Sequence, residues 1–300
     1  MEPAPASRTR RVLQTILVVL ILLGALVTAY YLLTYERPSA LPETGAAEQD
    51  PRLHLVSWNL YNFGRSKDDT EMDFIARQVM RFDLIAIQEV STSAAGADAV
   101  ARLAALLARN GTRWEVAVSE PTSGDGAERY AFLWRTDRVR LLGTPWLERS
   151  LAAPLDREPF LGRFELIPTG RRVLVASFHA VPTSKNPAAE VRLLERLHER
   201  YPDDHLVILG DFNLPQSHAA FDGLRRNGFA PALINQKTSI KMKRKDGEHL
   251  ASEYDNIFFE IGPLRVEEAG VIDFTPSFPT LREARRISDH LPVYVTLAWK

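Results

Sequence analysis

Short apolar runs that end in polar clusters recur along this chain, and they constrain its fold more than any other feature. Residues 84–87 are apolar and precede Gln88-Glu89, and residues 206–209 are apolar and precede Gly210-Asp211. Runs of this length are typical of buried strands, so the pattern predicts strands that bring polar side chains to one rim. The clusters that follow the pattern are Ser57-Trp58-Asn59, Gln88-Glu89, Gly210-Asp211-Phe212-Asn213, Tyr254-Asp255-Asn256 and Ser288-Asp289-His290.

The composition limits the ligands that such a rim can offer. The chain has 300 residues, 45% hydrophobic and 25% charged, so it can bury a substantial core. It contains no cysteine, so a metal must be held by oxygen or imidazole ligands. This favours a hard cation such as Mg²⁺ or Mn²⁺ over structural zinc. The net charge of −1 gives no argument for nucleic-acid binding by bulk electrostatics.

An N-terminal apolar segment differs from the rest of the chain. Residues 12–35 contain no charged side chain and are numerous enough to cross a bilayer as a helix. A buried core helix would be shorter. A cleaved signal peptide is the other alternative, because Val27-Thr28-Ala29 resembles a cleavage site, but its apolar region is usually only about 7–15 residues long. We therefore favour an uncleaved transmembrane anchor.

The charges that flank this segment predict its orientation. Arg8, Arg10 and Arg11 precede it, whereas acidic residues dominate the stretch after it, so the positive-inside rule keeps the N-terminus in the cytoplasm. The expected organisation is a short cytoplasmic N-terminus at 1–11, a single-pass anchor at 12–35, a flexible linker at 36–51 and a catalytic domain at 52–300. That domain would face the periplasm or the extracellular space.

Strand and helix candidates alternate after the linker. Helices are expected from Thr70, where Thr70-x-x-Asp73 resembles a capping box, over residues 94–110 before Gly111, and from Asn186 before Pro187. Together these elements predict an α/β fold. The strand candidates are residues 53–58, 83–88, 113–119, 130–135, 160–166, 173–178, 205–209, 256–260 and 293–297.

The residue types at the rim suit hydrolysis of a phosphodiester, which needs a divalent ion and fixed donors to stabilise negative charge. Glu89 and Asn59 end adjacent candidate strands and offer oxygen ligands. Asp211 and Asn213 are two residues apart, so in extended geometry both side chains face one phosphate. Each cluster alone is more often a turn or a helix cap, but their joint placement at strand ends is hard to explain by independent caps.

The order of these motifs resembles the endonuclease/exonuclease/phosphatase superfamily over roughly residues 52–300. Within it, Glu128-Arg129-Tyr130 followed by Arg157-Glu158-Pro159 is similar to the deoxyribonuclease I branch. The resemblance implies a four-layer α/β sandwich, with two packed β-sheets flanked by helices and the site at one end. The complete expectation is this sandwich preceded by one N-terminal transmembrane helix.

The resemblance also implies a role for each matched residue. Glu89 would be the principal metal ligand, with Asn59 and Asp289 nearby. Two histidine–carboxylate pairs would flank the scissile phosphate: His179 with Glu128, and His290 with Asp255. Asp211 and Asn213 would orient the attacking water and bind the phosphate, and Arg157 would be a further phosphate contact.

Two departures from that branch concern the substrate. An arginine and a tyrosine that enter the minor groove of duplex DNA in deoxyribonuclease I are replaced here by Ser91 and Gly126. The usual wedge for B-form DNA is therefore missing, although the phosphodiester chemistry is not affected.

Residues 237–245 form a strongly basic run just before Asp255. Such a run is often a solvated loop, but beside the site it has the charge to hold a nucleic-acid backbone or to lie against anionic lipid headgroups. Three hypotheses follow for the whole chain. The first is a membrane-anchored nuclease, the second a phosphodiesterase or phosphatase that acts on a lipid or small-molecule phosphoester, and the third a non-catalytic binding module.

Overall fold

The computed structural model describes residues 50–300 of the chain. The predicted cytoplasmic N-terminus, the anchor at 12–35 and nearly all of the linker lie outside the described residues. Among residues 50–300, no helix combines the length and the apolar character that crossing a bilayer requires.

Fourteen strands of the described chain form two six-stranded sheets and one separate hairpin. The first sheet has the order β13-β14-β1-β2-β4-β3, the second has the order β5-β6-β7-β8-β12-β9, and β10 pairs with β11. The strands are β1 Leu53–Phe63, β2 Leu84–Val90, β3 Trp114–Val118, β4 Arg129–Arg135, β5 Val139–Leu147, β6 Phe160–Leu166, β7 Arg171–His179, β8 Leu206–Asp211, β9 Phe229–Pro231, β10 Ile240–Lys245, β11 Glu248–Leu250, β12 Asp255–Glu260, β13 Leu264–Val271 and β14 Val293–Trp299.

Within the described residues, six α-helices cover the outer faces of the sheets. They are α1 Asp69–Val79, α2 Ala94–Leu107, α3 Pro187–Arg192, α4 Glu195–Arg200, α5 Asp222–Arg226 and α6 Leu281–Ile287. Short 3-10 helices lie at Ala108–Asn110, Arg149–Leu151, Thr183–Lys185, Ala219–Phe221 and Thr275–Ser277.

Alternation along β1 shows how the layers pack. Leu53 and Leu55 point into the core between the two sheets, whereas Val56 and Trp58 point to the core beneath α1, α2 and α6. A third core lies between the second sheet and helices α3 to α5. Side chains at successive strand positions face opposite sides, so one strand contributes to two cores. The predicted four-layer α/β sandwich is confirmed.

Helix α1 begins earlier than the sequence suggested. The Asp68 carboxylate accepts the N–H of Glu71 at 2.9 Å, and the Glu71 carboxylate accepts the N–H of Asp68 at 3.1 Å. The expected capping box at Thr70 was wrong by two residues, because Asp68 and Glu71 satisfy the free N–H groups first. The predicted stop at Gly111 (φ 85°) and the start at Pro187 are confirmed.

Strand register brings the predicted polar residues to one end of the sandwich. In the first sheet, β1 and β2 are parallel with Asn59 opposite Gln88, just before the register shifts, so Asn59 and Glu89 lie side by side on neighbouring strands. In the second sheet, His179 lies opposite Asp211, and Asp211 lies opposite Asp255.

Candidate active site

Asp211 is the centre of the site. Its Oδ2 atom lies 3.4 Å from Nε2 of His179, 3.5 Å from Nε2 of His290 and 3.2 Å from Nδ2 of Asn59. The residue is only 1% exposed. Since Asn59 belongs to the first sheet and Asp211 to the second, the site joins the two halves of the sandwich.

Each histidine at the centre is paired with a carboxylate on its other nitrogen. Nδ1 of His179 lies 2.9 Å from Oε2 of Glu128, and Nδ1 of His290 lies 2.7 Å from Oδ2 of Asp255. A carboxylate at Nδ1 fixes the ring and leaves Nε2 directed at Asp211. Both predicted pairs are therefore brought together, and they face each other across one carboxylate.

The charges shift the pKa values of all three central groups. Burial opposes protonation of His179, but Glu128 and Asp211 outweigh it and raise its pKa. Burial also opposes protonation of His290, but Asp255 and Asp211 hold its pKa well above the ordinary value. Burial alone would raise the pKa of Asp211, yet the two histidines and the N–H of Asn213 lower it. The arrangement favours an ionised aspartate between two protonated imidazoles.

Hydroxyl groups to which the sequence motifs assigned no role hold the histidine pairs in place. Thr238 Oγ1 donates to Oδ2 of Asp255 at 2.6 Å and accepts the N–H of the same residue at 2.9 Å. Ser288 Oγ donates to the carbonyl of Asn59 at 2.6 Å. The hydroxyl of Tyr130 accepts the N–H of His179 at 3.2 Å. Such contacts restrict the rotamers and ring orientations of the site.

A buried polar network connects the sheets directly beneath the site. Gln88 Nε2 donates to Ser57 Oγ at 3.2 Å and to Ser177 Oγ at 2.8 Å, and all three side chains are fully buried. Ser57 and Gln88 belong to the first sheet, and Ser177 belongs to the second. Because buried polar groups are costly unless they are paired, this network fixes the alignment of the two sheets near Asn59 and His179.

Glu89 is held at the end of β2 in a left-handed backbone conformation, with φ 59°. Its Oε1 accepts from Asn59 Nδ2 at 3.0 Å, and its Oε2 accepts the N–H of Asn62 at 2.9 Å. Tyr61, Asn62 and Asn213 also have positive φ, at 31°, 52° and 50°. Non-glycine residues in this region are strained, and such strain concentrates at functional sites.

Asp289 has a buried carboxylate oxygen that its surroundings do not satisfy. Oδ2 accepts from Nη2 of Arg285 at 3.1 Å, whereas Oδ1 has no hydrogen-bond partner within the described part of the chain. A buried, orphaned oxygen fits a cation ligand, because desolvation without a partner is unfavourable. The buried ammonium of Lys67 lies close enough to Asp289 and Glu89 to interact with both charges, although burial lowers its pKa.

A second group of potential metal ligands overlaps the histidine pairs. Asp211, Asp255 and His290 offer ligand atoms that all lie within 4.8 Å of one another. These atoms already satisfy one another by hydrogen bonds and charge, in contrast to Oδ1 of Asp289. The donor chemistry therefore fits a hard cation better at Glu89 and Asp289.

The nitrogens of Arg157 contact the protein itself. Nε donates to the carbonyl of His179 at 3.0 Å, Nη2 to the carbonyl of Ala180 at 2.7 Å, and Nη1 to Oε2 of Glu128 at 3.3 Å. Arg157 therefore holds the first histidine–carboxylate pair, and its predicted phosphate contact stays a prediction. Asn213 also donates to the carbonyl of Ala180, at 3.1 Å, and its N–H donates to Oδ1 of Asp211.

A cavity of about 790 Å³ opens beside Glu89 and Glu128. Ser91 and Gly126, the two positions that depart from deoxyribonuclease I, both line it. Gly126 donates its N–H to the carboxylate of Asp156, and a Cβ at this position would lie 2.3 Å from that carboxylate. A side chain at 126 would require the Asp156 carboxylate to move, so glycine leaves this wall of the cavity open.

The sequence of the described domain matches a known family. The model of the endonuclease/exonuclease/phosphatase family matches residues 56–290, which is more than half of the chain. The chain belongs to this family. The predicted resemblance is confirmed, and so is the expectation of an enzyme that hydrolyses phosphodiesters.

Relatives of this family member include named deoxyribonucleases. A deoxyribonuclease of Thioalkalivibrio sp. (strain K90mix) is 29% identical over 274 residues, covering 85% of this chain and 72% of the relative. Deoxyribonuclease-1 of Equus caballus is 29% identical over 272 residues, covering 82% and 92%. A solved mannosyl-6-phosphatase of Bacteroides thetaiotaomicron has a TM-score of 0.61 and 19% identity, covering 82% of this chain and 99% of that one, and it shows the shared fold.

Proposed function

We propose that this chain is a divalent-metal-dependent nuclease that cleaves nucleic acid endonucleolytically. The observation that carries the proposal is the pair of buried histidine–carboxylate couples that face each other across Asp211. General acid–base catalysis requires proton-transferring groups at fixed positions around one reacting centre. The names of the sequence relatives support nucleic acid as the substrate class.

The metal would be Mg²⁺ or Mn²⁺, held by Glu89 and Asp289, with Asn59 assisting nearby. The oxygen donors and the unsatisfied Oδ1 of Asp289 support this assignment. When bound, the ion would supply charge stabilisation for the phosphate oxygens. The amide nitrogen of Asn59 faces Glu89, so its direct role here is to orient that carboxylate.

Residues of the chain itself would accept and donate the protons of the reaction. Asp211 is kept ionised and is positioned to orient a water molecule and accept its proton. His179 and His290 have raised pKa values and direct Nε2 into the same space, so they can donate to phosphate oxygens. Asn213 would bind the phosphate with its side-chain amide.

A second candidate function is hydrolysis of a lipid or small-molecule phosphoester. The open cavity at Ser91 and Gly126 favours it, because deoxyribonuclease I places minor-groove contacts at these positions. A cavity of about 790 Å³ has room for a compact polar group next to the scissile bond.

We also propose that residues 12–35 anchor the enzyme in a membrane and hold its catalytic domain outside the cytoplasm. The support is the uncharged 12–35 segment and the arginines at 8, 10 and 11. A reporter that is active only in the periplasm or extracellular space, fused after Lys300, should be active. A reporter that is active only in the cytoplasm should be inactive at the same position, and the reverse pattern would contradict the orientation.

A substrate panel tests the proposed activity. The full-length chain in non-ionic detergent is assayed with Mg²⁺ or Mn²⁺ against single-stranded DNA, duplex DNA, RNA and phospholipid vesicles, with Glu89→Gln as the matched inactive control. We expect internal cleavage of nucleic acid that Glu89→Gln lacks. Release of a phosphorylated headgroup from the vesicles without nucleic-acid cleavage would support the second candidate instead.

A further inference from the structure

We propose that the hairpin formed by β10 and β11 binds the phosphate backbone of nucleic acid beside the scissile phosphate. The basic hairpin comprises residues 237–250. This inference rests on the proposed nuclease function and adds a substrate-binding surface outside the catalytic centre.

Positive charge on the basic hairpin is largely uncompensated. Within residues 50–300, Lys241, Lys243, Arg244 and Lys245 have no carboxylate oxygen within 4.0 Å, whereas Lys237 pairs with Glu248 at 3.2 Å. The side chains of residues 243–245 are exposed. The cations of the hairpin outnumber its carboxylates, Asp246 and Glu248, so they repel one another, and a polyanion relieves that repulsion.

The base of the hairpin is hydrogen-bonded to the segment that carries the second histidine. The N–H of Ile240 donates to the carbonyl of Asp289 at 2.7 Å, and the carbonyl of Thr238 accepts the N–H of Leu291 at 2.7 Å. Ser239 forms a β-bridge with His290. The hairpin is therefore continuous with the active site.

Side chains reinforce this connection. Thr238 donates to Asp255, the partner of His290. Arg285 on α6 contacts the carbonyl of Ile240 with one nitrogen and Oδ2 of Asp289 with the other. The orientation of the hairpin is thus coupled to a proposed metal ligand and to a histidine–carboxylate pair.

The length of strand β10 suits a polymeric nucleic-acid substrate. Strand β10 has six residues, and at about 3.3 Å per residue it extends about 20 Å from the catalytic rim. A nucleic-acid strand rises about 3.4 Å per nucleotide in a duplex, so the cations can follow several consecutive phosphates. A small phosphoester bound at Asp211 would not reach the tip.

The surface fits a polyanion better than a bilayer interior. Met242 is 74% exposed and is the one large apolar side chain among the cations at residues 241–245. Membrane-inserting surfaces combine basic residues with several apolar side chains. The cleft between the hairpin and α6, about 590 Å³ in volume, is lined by Arg244, Arg282 and Arg285 as well as by Met242, Phe278, Pro279 and Leu281. Of its large apolar side chains, Leu281 is buried and Phe278 is half-buried, which leaves Met242 as the exposed one.

The test replaces the four uncompensated cations together, as Lys241→Gln, Lys243→Gln, Arg244→Gln and Lys245→Gln. Its matched control removes four exposed arginines that form no ion pair in the described chain and lie away from the site. These control changes are Arg113→Gln, Arg171→Gln, Arg192→Gln and Arg196→Gln. Both variants lose the same formal charge, so a difference in DNA affinity between them shows that the location of the charges on the hairpin matters.

Two measurements on the full-length chain in detergent separate binding from chemistry. The first is the affinity for a fluorescent 20-nucleotide DNA over a range of salt concentrations, without added metal. The second is turnover of thymidine 5′-p-nitrophenyl phosphate, a diester too short to reach the hairpin. We expect the hairpin variant to keep its small-diester turnover and to bind DNA at least about tenfold more weakly at low salt. The slope of log affinity against log salt should become shallower by about 3, since each lost phosphate contact contributes about 0.7–0.9.

Several results would overturn the inference. If log affinity falls with log salt at the same slope in the hairpin and control variants, the hairpin cations make no specific contact with DNA. Loss of binding to phosphatidylserine vesicles with unchanged DNA binding would assign the hairpin to a membrane surface. If the wild-type chain cleaves neither DNA nor the small diester, the proposed nuclease function fails. The binding measurement needs no turnover, so a shallower slope specific to the hairpin variant would still support the hairpin assignment.

Discussion

The Oδ2 atom of Asp211 lies 3.5 Å from Nε2 of His290, although 79 positions of sequence separate the two residues. His179 approaches the same oxygen at 3.4 Å from the opposite side. One carboxylate thus serves two imidazoles, each oriented by another carboxylate on its Nδ1. Removing the central charge affects both pairs at once, in contrast to removing either outer carboxylate.

Asp211→Asn should reduce kcat by about 10³-fold or more, because the amide cannot accept the proton of the attacking water. The variant should fold, because the amide preserves the shape of the side chain. Far-ultraviolet circular dichroism and a thermal melt provide the control. Retention of more than a tenth of wild-type kcat would show that Asp211 is not the proton acceptor.

Glu128→Gln should lower the pKa of His179. Burial opposes the charged imidazole, and the Glu128 carboxylate is the principal group that offsets burial. Because the folded-state pKa is raised, the stabilisation from this pair is present at low pH and is lost as the pH rises through that pKa. NMR titration of the histidine ring protons checks the shift. Asp255→Asn is the matched control and should lower the pKa of His290 instead, so an unchanged His179 pKa in Glu128→Gln would contradict the assignment.

Thr238→Val should destabilise the protein by about 1–3 kcal/mol, because a fully buried hydroxyl that satisfies Asp255 and two backbone N–H groups is removed. Thr238→Ser keeps the hydroxyl and should lower the free energy of unfolding much less. Denaturant unfolding of the two variants measures the difference. Equal stability would mean that Thr238 does not hold the histidine pair in place.

Ser91→Arg should increase cleavage of duplex DNA several-fold relative to single-stranded DNA. The substitution puts a cation into the cavity beside Glu89, at the position where deoxyribonuclease I carries its minor-groove arginine. Ser91→Gln adds a long side chain without charge and should leave the ratio of duplex to single-stranded DNA cleavage unchanged. A ratio of kcat/KM values that does not differ between the two variants would show that this wall of the cavity does not select the substrate.

The sequence predicted the central residues of the site better than the residues that hold them in place. Asp211 and His179 end buried apolar runs, and Asp255 begins one, so these residues lie at the ends of neighbouring strands and their convergence at one rim could be predicted. Thr238 lies in a run dominated by lysines, and its bond to Asp255 depends on how a hairpin folds back 17 residues earlier in the chain. Nothing local in the sequence indicates that contact.

Edge and surface elements were predicted least well. Strand β13 lies at the edge of the first sheet and exposes much of its surface. It can therefore contain the charged residues Arg265, Glu267 and Glu268. Its pattern lacks the apolar run that marked the central strands. The charge of the run at 237–245 is typical of a solvated loop, yet most of the run forms β10, since pairing with β11 satisfies its backbone without an apolar sequence.

Metal-dependent cleavage is tested by measuring the hydrolysis of 5′-labelled single-stranded DNA by the full-length chain as Mg²⁺ is titrated. The wild-type chain should produce internal fragments only with the ion, because Glu89 and Asp289 supply the oxygen donors that hold it. Glu89→Gln should show no cleavage at any Mg²⁺ concentration that saturates the wild-type chain. Complete hydrolysis in excess chelator, or wild-type rates for Glu89→Gln, would contradict metal-dependent cleavage with Glu89 as a metal ligand.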